Sequence, residues 1–178
     1  MKKYISFFAM TLALSFGFVA CDTETDEEPG GTKVEKMCGN WDVVYDAVDA
    51  NGNVVYEDPY GKGEVTLFTY NTSDESMTQM YIDDQNKFWA FKFLVNINYA
   101  ARTFSANDSV WYDAAHSGKA VLTDGKILEG AAKNSHGMPN DSISFYISFD
   151  DDADGAKYGW TKWHVHGQRH TGFSPGTE

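Results

Sequence analysis

Between residues 142 and 149 the chain alternates without a break: Ile143, Phe145, Ile147 and Phe149 are apolar, and Ser142, Ser144, Tyr146 and Ser148 stand between them. A period of two sends successive side chains to opposite faces, so this stretch can only be accommodated as a half-buried β-strand. No part of the chain after Gly39 sustains the 3.6-residue period of an amphipathic helix. The expectation is therefore an all-β fold.

Other strands follow from the same rule. Trp41, Val43, Tyr45 and Ala47 alternate with Asp42, Val44, Asp46 and Val48, and the turn Asp49-Ala50-Asn51-Gly52-Asn53 leads into Val54-Val55-Tyr56. Strands are expected at 64–72, 77–82 and 88–99, separated by turns at 73–76 and 83–87. In the third of these, Trp89, Phe91, Phe93, Val95 and Ile97 share the apolar face. Shorter candidates lie at 103–105, 110–112, 119–123 and 126–131, with Asp124-Gly125 as a turn between the last two. Residues 133–140 read as a loop, and the last strand as 158–173. Eight to ten antiparallel strands in an up-and-down meander favour closure into a β-barrel, because closure removes exposed edges.

The N-terminus carries a different message. Met1-Lys2-Lys3, an apolar run from Ile5 to Ala20, and then Cys21 with an acidic tail have the layout of a secretory signal peptide, too short for a membrane span. Phe18-Val19-Ala20-Cys21 resembles the lipobox of bacterial lipoproteins. That resemblance implies cleavage after Ala20, acylation of Cys21, and a protein held to the membrane by its acyl chains; more than one chain is needed for stable anchoring. The expected organisation is signal peptide 1–20, lipidated cysteine and acidic spacer 21–36, and a single domain over 37–178. The bacterial cell envelope, as an outer-membrane lipoprotein open to surface exposure, is the expected location. Cys38 is then a lone thiol, and no disulfide framework is expected.

Removing residues 1–20 takes away two lysines and no acid, which leaves 12 basic against 26 acidic residues. Such a body is a poor partner for nucleic acid or anionic lipid surfaces. Aromatic residues make up 15% of the chain and are spread along it, pointing to a large interior or a binding cavity.

Gly39-Asn40-Trp41 opens the first strand, and Arg169 lies on the last, just before Gly172-Phe173. This arrangement resembles the lipocalin-like, or calycin, barrels, in which a G-x-W and a late arginine meet at the closed end. Gly39, Trp41 and Arg169 are accordingly expected to form a closure device, with the guanidinium stacked on the indole face. More narrowly, the lipobox, acidic spacer, G-x-W-x-V and closing Gly167-Gln168-Arg169-His170-Thr171-Gly172-Phe173 resemble the Bacteroidetes lipoprotein family called lipid-binding putative hydrolases.

If such a barrel is hollow, its ligand is lined by inward side chains. Phe68, Tyr70, Met80, Trp89, Phe91, Phe93, Phe145 and Ile147 are the candidates, and the competing expectation is that they fill a solid core. His164 and His166, two apart on one strand face, can reach one metal ion; His170 lies about 13 Å beyond. Asp150-Asp151-Asp152-Ala153-Asp154-Gly155 reproduces the first half of a calcium loop through Asp150, Asp152 and Asp154, but Thr161 stands where the closing glutamate belongs. No G-x-S-x-G elbow or other nucleophile motif supports catalysis, and no cofactor is implied. The leading expectation is a monomeric lipid-anchored barrel that binds a small apolar or amphipathic, lipid-like ligand. A cell-envelope hydrolase or metal-dependent enzyme, and a solid-cored interaction module, are the alternatives.

Overall fold

A computed structural model describes residues 31–172 of the chain. Its strands are β1 (Gly39–Val48), β2 (Val54–Tyr56), β3 (Val65–Asn71), β4 (Gln79–Asp83), β5 (Lys92–Asn98), β6 (Thr103–Trp111), β7 (Lys119–Lys133), β8 (Pro139–Phe149) and β9 (Lys162–Arg169). The sheet runs β2-β1-β3-β4-β5-β6-β7-β8-β9, and β1 pairs with β9 as well as with β3. Eight antiparallel strands thus close into a barrel, with β2 as an extra strand beside β1. The long pairing of β1 with β9, from Trp41 opposite Arg169 to Val48 opposite Lys162, is the seam that removes both free edges.

The alternating pattern sets the register. Val43, Tyr45 and Ala47 of β1, Met80 and Ile82 of β4, Phe93 and Val95 of β5, and Ile143, Phe145 and Ile147 of β8 all point inward and are buried. At the seam one inward position must be glycine: a Cβ on Gly167 would collide with the Asp42 carbonyl oxygen.

Three local expectations are corrected. Residues 119–131 form one continuous strand, because Asp124 and Gly125 are absorbed as a bulge in which the pairing to β8 shifts between Thr123 and Lys126. The expected strand over 88–99 begins only at Lys92, since residues 84–91 are drawn into a loop around the Asp84 carboxylate. The expected last strand over 158–173 shortens to β9, and its first residue closes a short helix, α1 (Ala153–Tyr158), which Asp152 caps through the backbone N–H of Gly155.

Candidate functional site

The two ends of the barrel are built from different chemistry. One end gathers the turns after β3, β5 and β7 with the end of β9. There the Arg169 guanidinium lies 4.5 Å from the centroid of the Trp41 ring. Arg169 Nη1 donates to the Cys38 carbonyl at 2.8 Å, and its Nε to Asp141 at 3.3 Å. Trp41 Nε1 donates to Thr69 Oγ1, whose own hydroxyl donates to the Met37 carbonyl. A Cβ on Gly39 would strike the guanidinium, so the glycine makes room for it. These polar groups are bonded to the protein itself, which makes the Trp41–Arg169 cluster a plug.

The opposite end is aromatic. Phe88 stacks on Tyr45 with centroids 3.9 Å apart and meets Trp163 edge-on at 4.8 Å; Trp89 stacks flat on Phe149 at 4.8 Å. Further out, Trp160 contacts Trp163, Tyr56 and Tyr158. Buried Tyr and Trp need partners for their polar atoms, and the acidic segment after β8 supplies them. Asp151 accepts from Trp89 Nε1 at 3.1 Å and from the Tyr112 hydroxyl at 2.6 Å. Asp152 Oδ2 accepts from both Trp160 Nε1 and Trp163 Nε1, and Asp154 from the Tyr60 hydroxyl. Burial and these carboxylates push the Tyr60 and Tyr112 phenols up to about 12.

Asp150, Asp152 and Asp154, the residues of the expected calcium half-loop, each have partners within the protein. Their carboxylates diverge to separate partners, Asp150 to the Lys119 backbone N–H, Asp152 to two indoles and the helix N-terminus, Asp154 to Tyr60. An ion cage needs oxygens that converge.

The expected cavity lining divides in three. Met80, Phe91, Phe93, Phe145 and Ile147 do point inward, but none is more than 5% exposed, and Met80 and Phe145 are at 0%. A ligand-sized hollow would leave surface on such side chains; here they pack as one cluster with Trp41, Tyr45, Leu122 and Trp163, so the interior around them is a filled core. Trp89 lies at the aromatic end, outside any strand. Phe68 and Tyr70 are half-buried on the outer face, because Leu67 and Thr69 take the inward positions of β3; Tyr70 there pairs with Tyr81 and donates to Asp83. Alternation alone could not fix which parity of β3 faces in, since Phe68 and Tyr70 are the larger apolar pair.

A concave, apolar cleft of about 380 Å³ lies at the aromatic end, walled by Tyr56, Pro59, Tyr60, Tyr158 and Trp160, with Glu57 and Asp154 also lining it. Tyr56, Tyr60 and Tyr158 are exposed there while Trp160 is buried beneath them. None of these residues stands out in the sequence as a ligand-binding residue. Their signal was available only as aromatic residues in turn-rich segments, where packing demands do not call for them.

His164 and His166 do share one face of β9, on the outer wall, and their rings stack with centroids 4.8 Å apart. Asp46, directly opposite His164 on β1, joins them: His166 Nε2 is 2.9 Å from Asp46 Oδ2. His164 Nε2 lies 3.0 Å from Ser144 Oγ, and desolvation, reinforced by His166, lowers its pKa. His170 is not part of this group; its Nδ1 meets Asp42 at 3.0 Å.

The chain matches, over residues 26–174, the family model described as lipid-binding putative hydrolase. It belongs to that family. No curated protein matches it. The family description and the closed β-barrel both fit a lipid-binding role.

Proposed function

We propose that the protein is an envelope lipoprotein, anchored through Cys21, that binds a small amphipathic, lipid-like molecule at the aromatic end of its barrel. The anchor rests on the lipobox-like tetrad, which lies outside the described residues. The binding site rests on one observation: the cleft of Tyr56, Pro59, Tyr60, Tyr158 and Trp160 is walled by aromatic rings. Its 380 Å³ falls in the range of small-molecule sites. A larger groove of about 610 Å³ crosses β5, β6 and β7, but Asn96, Asn98, Asn107 and Lys126 line it and suit water better than an acyl chain.

In this proposal the ligand's apolar part lies against the rings, where burial contributes roughly 25 cal/mol per Å², and its polar part faces Glu57 and Asp154. Titration with a fluorescent fatty acid tests it. Trp160→Ala and Tyr56→Ala should each weaken uptake at least tenfold, with circular dichroism confirming the fold, while the core change Ile147→Val should leave uptake as it was. Equal uptake by wild type and both cleft variants would remove the cleft from consideration. Separately, Cys21→Ala should move the protein out of the membrane fraction.

A further inference from the structure

We propose that Asp46, His164 and His166 form a binding site for a divalent transition metal of the zinc class on the outer wall of the barrel. One ligand atom from each of the three residues lies within 4.8 Å of the others. Their placement follows from the sheet itself. Asp46 of β1 and His164 of β9 are directly opposed across the closing seam, and His166 is the next outward residue of β9. Strands hold such positions more firmly than loops do. The closest pair, His166 Nε2 and Asp46 Oδ2 at 2.9 Å, is already near the spacing of about 3.3 Å that tetrahedral zinc with bonds of 2.0–2.1 Å requires. His164 is half-buried, and its ligand atom lies within 4.8 Å of those of the other two residues.

The carboxylate is oriented for the purpose. Asp58 donates its backbone N–H to Asp46 Oδ1 at 3.0 Å, which leaves Oδ2 facing the imidazoles. The loop that brings Asp58 there is fixed in turn, since the Asp58 carboxylate accepts from the backbone of Lys62 and Gly63. Orienting contacts of this kind, one step removed from the metal, are a regular property of protein metal sites. Asp46 is 8% exposed, so its charge is largely withdrawn from water and gains by meeting a cation. Around it, Ser144 Oγ stands 3.0 Å from His164, and the Tyr146 ring stacks on the His164 ring at 4.9 Å. Two imidazoles and one carboxylate select Zn²⁺, Fe²⁺, Ni²⁺ or Cu²⁺ over the oxygen-seeking Ca²⁺ and Mg²⁺. Three protein ligands also leave a coordination position for water.

Calorimetric titration of the full chain with zinc chloride tests the site, with cobalt absorption as a second readout. One equivalent should bind, and cobalt should give the intense visible bands of a four- or five-coordinate ion. His164→Ala and His166→Ala should each lower zinc affinity at least tenfold and abolish those bands, whereas His170→Ala, which alters a different His–Asp pair, should change neither. Asp46→Asn should weaken binding as well, and a thermal melt of each apo variant shows that the fold is retained. The proposal is overturned if wild type takes up no stoichiometric zinc, or if the His164→Ala, His166→Ala double variant binds as wild type does.

Discussion

Tyr45 shows what a single atom can reveal about this barrel. Its side chain is 2% exposed and its hydroxyl has no hydrogen-bond partner among the described residues. Burial, with Asp84 nearby, raises its pKa well above the ordinary phenol value, so the hydroxyl stays protonated and idle. An unsatisfied buried hydroxyl costs about 1–3 kcal/mol. Tyr45→Phe keeps the stack on Phe88 and removes that cost, and urea denaturation should show a variant as stable as wild type or more stable by about 1 kcal/mol. Arg169 is the opposite case, with its cation–π contact and the bond to the Cys38 carbonyl both in use. Arg169→Ala should destabilise by about 1–3 kcal/mol in the same assay. The Trp41–Arg169 pair was legible in the sequence through the resemblance to lipocalin-like barrels, carried by a G-x-W on the first strand and an arginine on the last, and the register sets the two directly opposite each other at one end of the seam. Asp46 was not legible as a neighbour of His164 and His166, since 118 residues separate it from His164 and only the β1–β9 register brings them together.

Among the elements, strands with clean alternation were readable and those with interruptions were not. β8 appears with its inward residues as expected because nothing competes with its period of two. β7 was split in two because Asp124-Gly125 is ordinary turn chemistry; tertiary pairing on both sides overrides it and turns the dipeptide into a bulge, with Asp124 at φ 56°. The loop before β5 was missed for the reverse reason. Phe88, Trp89 and Phe91 look like strand residues, yet Asp84 Oδ2 accepts the backbone N–H groups of Phe88, Trp89 and Ala90, and Oδ1 that of Asn86. Asp84 is completely buried, and burial raises its pKa despite those donors. Asp84→Ala should leave four N–H groups without their acceptor and loosen the segment that carries Phe88 and Trp89. Hydrogen exchange should then accelerate at residues 86–90 while the amides of β1 and β8 keep their protection, and global stability should fall by about 2–4 kcal/mol.

For the molecule as a whole, the acid excess proves to have a structural address. A formal charge of −12 reads in the sequence only as solubility and a poor match for nucleic acid, but Asp151, Asp152 and Asp154 are the acceptors that hold the aromatic end together. Sequence patterns could not anticipate this, because the D-x-D-x-D-G spacing has an established meaning in calcium loops and none as an acceptor set for indoles and phenols. The arrangement predicts how the protein responds to alkali. The Tyr60 and Tyr112 phenols titrate at about 12 in the folded protein against an ordinary value of 10.0. A folded pKa above the unfolded one means that the folded state holds its protons longer. The contribution of these two hydroxyls to stability is therefore complete below pH 10 and is lost as pH rises from 10 to 12. Absorbance at the tyrosinate band should show a late titrating component near pH 12 that shrinks in Tyr112→Phe and Tyr60→Phe. Stability measured by denaturant should decline across the same interval in wild type, and less steeply in the Tyr60→Phe, Tyr112→Phe double variant. If both tyrosines titrate with the exposed ones near pH 10, the carboxylates do not hold the aromatic end in the way the structure describes.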